Sequence, residues 1–328
     1  MQVGYCDHFE VALPAGHRFP MHKYALLRER LLAEGVLEPA QLVAARPAAV
    51  DDILTVHDAD YVLGFLNGTL DRRAVQRLGF PWSEAMVLRS LASVGSTLIA
   101  LESALARGPN VAGPSGAGFG ASGLGASGLG ATLAGGTHHA YAGVGSGYCV
   151  FNDLAIAARL ALATERAQRV LIFDVDVHQG DGTAALFADE PRVFTCSLHG
   201  ARNFPARKQQ SDLDIPLPDG TRDEEYLAAL DRALDEALER SRPDLVLVQA
   251  GVDVLEADRL GRLALTHAGV RERDRRILRC LHQGAGLPVV LTLGGGYSDP
   301  IDASVEAYVN TYREAQASAR SRRAAPPA

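Results

Sequence analysis

The stretch of residues 171–182 constrains the fold more than any other part of this sequence. It starts as an apolar run typical of a buried strand and then places Asp174, Asp176 and His178 at alternate positions, with Asp181 close behind. Because successive strand side chains point to opposite faces, the first three share one face. Buried carboxylates are costly unless they are paired or bind a metal. The segment therefore predicts either a divalent metal site or a hydrogen-bonded Asp/His cluster at a strand-to-helix turn.

The length and composition indicate a globular α/β enzyme. The chain has 328 residues, with 47% hydrophobic and 22% charged residues. Its net charge of −7 argues against a nucleic-acid partner, for which a basic surface is usual. We see neither a signal-peptide pattern nor an uncharged apolar stretch of membrane-spanning length, so no membrane association is expected.

The cysteine pattern argues against a disulfide framework or a structural zinc site. The four cysteines are widely scattered and form no Cys-x-x-Cys pair. Reduced thiols are typical of intracellular proteins, so the chain is expected to be cytoplasmic.

Apolar runs that resemble buried strands alternate along the chain with segments of helical periodicity. We predict strands at 3–6, near 53, at 171–177, 193–198, 245–250 and 288–293. We predict helices at 21–34, 83–106, 152–166, after a Thr221/Glu224 capping box, at 266–280 and from Pro300 onward. Continuous apolar strands between helices indicate a single domain with a mostly parallel central sheet, flanked by helices on both faces.

Two segments have a composition that predicts flexibility. Residues 108–130 are rich in Gly, Ala and Ser and contain Gly-Ala-Ser-Gly-Leu twice, which indicates a flexible loop. No Lys-Ser/Thr follows these glycines, so a phosphate-binding loop is not supported. The globular domain is expected to cover residues 1–316, and residues 317–328 are predicted to be a flexible tail.

Reactive side chains follow four of the apolar runs. They are His138 and His139, Asp176 and His178, Asp253, and Tyr297. Ligands bind at the carboxyl ends of the strands in open parallel α/β sheets, so these side chains predict one common site. Taken singly, each residue has an ordinary structural interpretation, such as a helix cap for Asp253 or a packed aromatic for Tyr297.

Four motifs carry a family resemblance. They are Gly135-Gly-Thr-His-His-Ala140, Asp174-Val-Asp-Val-His-Gln-Gly-Asp181, Ala250-Gly-Val-Asp-Val-Leu-Glu-Ala-Asp-Arg-Leu-Gly261 and Gly294-Gly-Gly-Tyr297. In their identity and order they resemble the histone deacetylase superfamily, most closely its class IV and bacterial deacetylase-like members. The glutamine after the histidine of the second motif is a class IV trait. The resemblance extends from the first strand to about residue 315 and implies an arginase/deacetylase-like fold.

The resemblance also implies roles for the motif residues. Asp176, His178 and Asp253 would bind zinc, and so oxygen-rich a ligand set also admits Fe²⁺. The expected catalytic residues are His138, His139, Asp174, Asp181 and Tyr297. Of these, His139 would be the general base, and Tyr297 would donate a hydrogen bond to the oxyanion. Asp174 and Asp181 would orient His138 and His139, respectively.

The substrate and a further cofactor follow from the same resemblance. Gly147 and Tyr148 would form one wall of a narrow tube for the acyl-lysine side chain, and Phe204 the opposite wall. Simple core packing is the alternative for Phe204. A structural monovalent cation such as K⁺ would bind main-chain carbonyls beside the metal strand, near Ser197 and Leu198.

The predicted function is that of a zinc-dependent amidohydrolase. It would remove an acetyl or longer acyl group from the ε-amine of lysine in a peptide or protein. One alternative is a deacetylase of a small amine, such as an acetylpolyamine. Another is a non-catalytic protein that binds acyl-lysine.

Overall fold

The computed structural model describes residues 1–106 and 127–324 of the chain. Within these residues, all the strands belong to one sheet, whose order is β2-β1-β3-β8-β7-β4-β5-β6. Every neighbouring pair is parallel. The strands are β1 Val3–Tyr5, β2 Leu42–Ala44, β3 Leu129–Thr132, β4 Val170–Asp174, β5 Val193–Gly200, β6 Leu213–Leu217, β7 Leu245–Gln249 and β8 Val289–Thr292.

Helices cover both faces of the sheet. They are α1 Lys23–Ala33, α2 Val50–Leu54, α3 Ala59–Leu66, α4 Arg72–Leu78, α5 Glu84–Leu105, α6 Asp153–Ala163, α7 Asp181–Phe187, α8 Asp223–Ser241, α9 His267–Leu278 and α10 Asp302–Ala324. Side chains of α1, α8, α9 and α10 pack in one core, and those of α5 and α6 pack in the core on the other face. The predicted α/β architecture is confirmed.

Strand β4 shows why the central strands read as continuous apolar runs. Its residues alternate between the two cores, with Leu171 and Phe173 in one and Val170 and Ile172 in the other. Because both faces are covered, apolar side chains are favourable at every position rather than at every second one. This burial on both faces holds β4 in the sheet, and the polar residues Asp174, Asp176 and His178 lie at its carboxyl end.

Several predicted helix starts are confirmed by their capping contacts. The side chain of Ser83 accepts a hydrogen bond from the Met86 N–H at the start of α5. The Asn152 side chain accepts a hydrogen bond from the Ala155 N–H at the start of α6. The Thr266 side chain accepts one from the Gly269 N–H at the start of α9. Each cap satisfies a backbone donor that the helix itself leaves unpaired.

Other predictions of secondary structure are wrong. The segment near residue 53 is helical (α2), because its apolar residues pack as a short amphipathic turn rather than in the sheet. The Thr221/Glu224 capping box does not form, since the Thr221 hydroxyl donates to Pro218 O and α8 begins only at Asp223. The last helix begins at Asp302, two residues after Pro300.

The two predicted flexible segments have different outcomes. Helix α10 continues to Ala324, with Ser318 and Ala319 buried, so the predicted tail is wrong for residues 317–324. Residues 325–328 lie outside the described part of the chain. The predicted loop at 108–130 also falls mainly outside it, on residues 107–126, and its end is wrong because β3 already begins at Leu129.

Helix α5 is, among the described residues, the one helix long and apolar enough by length and composition to cross a membrane. In the structure, 61% of its apolar 18-residue stretch is buried. It packs on β3, β1 and β8, which is the arrangement of a core helix.

Candidate active site

The carboxyl ends of β3, β8, β7 and β4 meet at one edge of the sheet because these four strands are neighbours. The side chains that follow them are His138 and His139 after β3, Tyr297 after β8, Asp253 after β7, and Asp176 and His178 after β4. Asp174 ends β4, and Asp181 begins α7. The parallel topology thus brings all the predicted catalytic and metal-binding residues to a single edge.

Asp176, His178 and Asp253 form a compact buried cluster. Their candidate ligand atoms all lie within 4.8 Å of one another. The Nδ1 atom of His178 is 2.9 Å from Asp176 Oδ1 and 3.1 Å from Asp253 Oδ2. Burial, together with the charge of Asp176, raises the pKa of Asp253. Two carboxylates in such a position need positive charge between them, which a metal ion supplies.

The orientation of the carboxylates fits a divalent metal. Asp176 Oδ2 accepts hydrogen bonds from Gln249 Nε2 at 2.8 Å and from the Gly295 N–H at 2.7 Å. Asp253 Oδ1 accepts from the Val177 N–H at 2.9 Å. One oxygen of each carboxylate is thus held by neighbouring residues, and the other is directed towards His178. The His178 backbone N–H also donates to Asp176 Oδ1 at 3.0 Å. A Cβ atom at Gly295 would overlap the Asp253 carboxylate, so this glycine keeps the ligand cluster clear.

His138 and His139 each pair with a carboxylate behind them. His138 Nδ1 lies 2.6 Å from Asp174 Oδ2, and His139 Nδ1 lies 2.6 Å from Asp181 Oδ1. In a neutral ring with its proton on Nδ1, as for His139, the Nε2 atom is an acceptor. His138 Nε2 lies 3.9 Å from Asp176 Oδ1, which places this histidine directly beside the metal-ligand cluster.

The pKa values of the two histidines shift in opposite directions. Burial lowers the pKa of His139 to about 4, and the charge of His138 acts in the same direction against the hydrogen bond to Asp181. Burial also disfavours the protonated form of His138, but the charges of Asp174 and Asp176 outweigh it and raise its pKa to about 9. At neutral pH, His139 can therefore accept a proton, whereas the carboxylates around His138 favour its protonated form.

The loop that carries Tyr297 is anchored from three sides. The Tyr297 backbone N–H donates to Asp258 Oδ2 at 2.6 Å, and the Tyr308 hydroxyl donates to Gly295 O at 2.6 Å. The buried Lys23 ammonium donates to the carbonyls of Gly294 and Gly296 and lies 5.0 Å from the centre of the Tyr297 ring. Burial holds the pKa of Tyr297 well above its usual range, so its hydroxyl remains a hydrogen-bond donor.

The predicted tube residues adjoin these groups. The Phe204 ring lies edge-on to His139, with ring centres 4.9 Å apart, and is 45% exposed. A Cβ atom at Gly147 would lie 2.7 Å from His139 Cδ2 and 3.3 Å from Phe204 Cε1, so only glycine fits between these rings. Tyr148 faces Tyr297 instead, with ring centres 6.2 Å apart. The exposure of Phe204 argues against simple core packing.

Comparison with known proteins agrees with this geometry. Residues 17–312 match the histone deacetylase domain. The chain belongs to the histone deacetylase family. It is therefore a hydrolase that acts on amides, and its family is metal-dependent.

The relatives of this family member include proteins from bacteria and plants. An uncharacterized protein from Picosynechococcus sp. is 42% identical over 315 residues, which cover 96% of this chain and 98% of that protein. Histone deacetylase 2 from Arabidopsis thaliana is 28% identical, with 86% of this chain and 70% of that protein covered. The crystal structure of a histone deacetylase homologue from Aquifex aeolicus has the same fold, with a TM-score of 0.78 and 23% identity. This match covers 96% of this chain and 84% of the homologue.

The structure adds two buried residues to the site for which the sequence predicted no role in it. Gln249 bridges Asp176 and the Gly136 carbonyl, and its Oε1 accepts the Gly251 N–H at 2.8 Å. Asp153 accepts the N–H groups of Gly136 and Thr137, just before the histidine pair. A polar residue at a strand end or a helix start is common at protein surfaces, so only the fold reveals that these two are buried.

Two further histidines have structural contacts, and one remaining sequence prediction concerns the monovalent cation. His57 is buried and bonded to the Tyr141 carbonyl and the Asn152 N–H, and His267 bonds the Ala303 carbonyl. These contacts agree with structural roles. Ser197 lies beside Asp174 in the neighbouring strand, where the K⁺ site is predicted, and that site stays a prediction.

Proposed function

We propose that this chain is a zinc-dependent deacylase of ε-N-acyl-lysine. The main support for this proposal is that the ligand atoms of Asp176, His178 and Asp253 lie together, beside two His–Asp pairs at one edge of the sheet. Three protein ligands leave positions for water and a substrate carbonyl, as a catalytic zinc site requires. When bound there, zinc would polarise the amide carbonyl and lower the pKa of a water molecule.

His139 is the residue assigned to proton transfer. A general base must be unprotonated before the reaction, and the pKa of His139 is lowered to about 4, with burial as the main cause. Asp181 accepts its Nδ1–H and so holds Nε2 as the proton acceptor. The proton that His139 takes from water then passes to the departing lysine amine, so the enzyme returns to its starting state.

His138 and Tyr297 are assigned to charge stabilisation. The raised pKa of His138, caused by Asp174 and Asp176 against the effect of burial, favours a positive charge beside the reacting water. The Tyr297 hydroxyl remains protonated and can donate to the oxyanion that forms when water adds to the carbonyl. Lys23 and Asp258 keep the Tyr297 loop fixed, so little reorganisation is needed during the reaction.

The aromatic lining supports a long, narrow, partly apolar substrate. Gly147 gives room for close approach beside His139, with Phe204 on one side and Tyr148 near Tyr297. Flat rings bury methylene groups without requiring hydrogen bonds, which suits the four-carbon chain of lysine. A non-catalytic binding protein would not need the His139–Asp181 pair or the raised pKa of Tyr297.

The experiment is a substrate panel on the purified, zinc-loaded chain. It compares lysine peptides carrying acetyl to long-chain acyl groups with a free acetylpolyamine. The proposal expects hydrolysis of at least one acyl-lysine peptide with a higher kcat/KM than the acetylpolyamine. A strong preference for the free amine would assign the enzyme to small-molecule deacetylation, and binding of peptides without turnover would refute catalysis.

Two variants test the assigned roles. Tyr297→Phe removes only the hydroxyl, so it should retain the metal and lose about 100-fold or more in kcat. His139→Ala should likewise bind metal but lose most turnover. Turnover unchanged in either variant would refute the role given to that residue.

A further inference from the structure

Arg273 is a fully buried charged residue that is not among the predicted catalytic or metal-binding residues. It lies in the middle of α9 with 0% of its surface exposed, and it is among the largest fully buried side chains of the described residues. Burial of a guanidinium group is costly unless its donors are satisfied. Its contacts therefore indicate what the residue does.

The guanidinium group of Arg273 binds backbone carbonyls at the ends of two neighbouring strands. Nη1 donates to Val175 O at 3.3 Å and to Gly251 O at 2.6 Å, and Nη2 lies 3.4 Å from Ala250 O. The paired register of β4 and β7 ends at Asp174 and Gln249, so these carbonyls lie just beyond the last pair. Arg273 thus spans the two chains at the point where they leave the sheet.

These two chain segments carry the proposed metal ligands. Val175 directly precedes Asp176, and Gly251 precedes Asp253 by two residues. The distance between the segments sets the distance between the two carboxylates. A planar group that hydrogen-bonds to both segments at once fixes that spacing from behind the site.

Arg273 is itself held in position by a second helix. Its Nε donates to Asp274 Oδ1 at 2.8 Å, and the Thr311 hydroxyl of α10 donates to Asp274 Oδ2 at 2.5 Å. The charge of Arg273 is thus paired within the core, and its orientation is fixed. A lysine would retain the charge, but it lacks the rigid fork that can donate to both segments and to Asp274.

We propose that Arg273 is a positioning residue for the metal site, which fixes the spacing between the segments that bear Asp176 and Asp253. The inference rests on the proposed metal-dependent function. It adds that metal affinity in the folded protein depends on a side chain that does not touch the metal. Residues that orient metal ligands in this way contribute about 10- to 100-fold to metal affinity.

The test measures metal binding directly. The chain is stripped of metal, and the dissociation constant for Zn²⁺ is obtained by competition with a chromophoric chelator. The visible absorption of the Co²⁺-loaded protein reports ligand geometry. The double variant Arg273→Met/Asp274→Asn, which removes both charges, should bind Zn²⁺ about 10- to 100-fold more weakly. Arg273→Lys should show a smaller loss and an altered Co²⁺ spectrum.

A matched control separates positioning from general stability. His282 is also fully buried, and it is hydrogen-bonded to Ser127 O and Ser318 Oγ. These contacts lie near the start of β3, at the end of the strand opposite to the site. His282→Ala should lower the stability without changing Zn²⁺ affinity or the Co²⁺ spectrum.

The outcomes are distinguishable from each other. Wild-type affinity and an unchanged Co²⁺ spectrum in folded Arg273→Lys would overturn the proposal and leave Arg273 a residue of fold stability only. This variant retains the charge, so it decides the question even if the double variant does not fold. A wild-type chain that binds no metal would instead refute the proposed function.

Discussion

The substitution Asp153→Asn tests whether the histidine-bearing loop depends on one buried carboxylate. Asp153 Oδ2 accepts from the Gly136 N–H at 3.1 Å and the Thr97 hydroxyl at 2.6 Å. Its Oδ1 accepts from the Thr137 N–H at 2.8 Å and the Thr137 hydroxyl at 2.5 Å. Asparagine has the same shape, but an NH₂ group replaces one of the two acceptor oxygens.

The expected magnitude follows from which donors can adapt. The two threonine hydroxyls can rotate, because the Ser93 and Phe151 carbonyls lie within reach as alternative acceptors. A backbone N–H cannot rotate, so in either orientation of the Asn amide one N–H, of Gly136 or of Thr137, faces the NH₂ group. One unsatisfied buried donor costs about 1–3 kcal/mol of unfolding free energy.

Urea denaturation and steady-state kinetics provide the assay. The unfolding free energy of Asp153→Asn should fall by about 1–3 kcal/mol. Its kcat should fall roughly tenfold or more, because His138 and His139 follow the displaced backbone. Asp71→Asn is the control, since Asp71 caps α4 at the surface and Asn caps equally well. A stability within about 0.5 kcal/mol of wild type at Asp153 would refute the reasoning.

Two further predictions concern other residues around the site. Burial lowers the pKa of His57 to about 4, below the unfolded value of about 6.5. The stability that neutral His57 contributes is therefore present above pH 6.5 and lost as the pH falls towards 4, by about 2–3 kcal/mol. His57→Gln should reduce this loss in urea titrations between pH 7 and about 4.5, and an unchanged pH dependence would contradict the assignment. The Gln179 amide bonds both backbone groups of Gln209 and the Asp214 carboxylate, and so clamps the segment that follows Phe204. Gln179→Ala should raise KM for acyl-lysine peptides several-fold with a smaller change in kcat. An equal effect on KM and kcat would instead show that Gln179 affects the rate of the chemical step.

The sequence predicts the central part of the fold better than its edges. Strands β4 and β7 are buried on both faces, so their continuous apolar runs are unmistakable. The edge strand β6 contains Asp214 and Pro216, and its half-exposed pattern does not resemble a buried strand. Helix α4 is mostly polar with few buried positions, so it lacks a clear apolar face. Both elements form because the rest of the fold supports them.

The residues of the site likewise divide into those that the sequence predicts and those that it does not. The motif residues were predictable because carboxylates and histidines at strand ends are unusual and the four strands are parallel neighbours. Asp153, Gln249 and Arg273 were not, since a single polar residue in a helix or at a strand end is usually exposed. Their importance arises from burial beneath the loops of the site, which depends on how distant segments pack.

Metal dependence of acyl-lysine hydrolysis is the most direct test of the proposed function. The chain is stripped with a strong chelator, its metal content is verified by elemental analysis, and turnover of an acetyl-lysine peptide is followed as Zn²⁺ is added. We expect no turnover in the stripped chain and recovery that is complete at one bound Zn²⁺ per chain, as a single ligand cluster predicts. Full turnover in the chain shown to be free of metal would contradict the proposed mechanism.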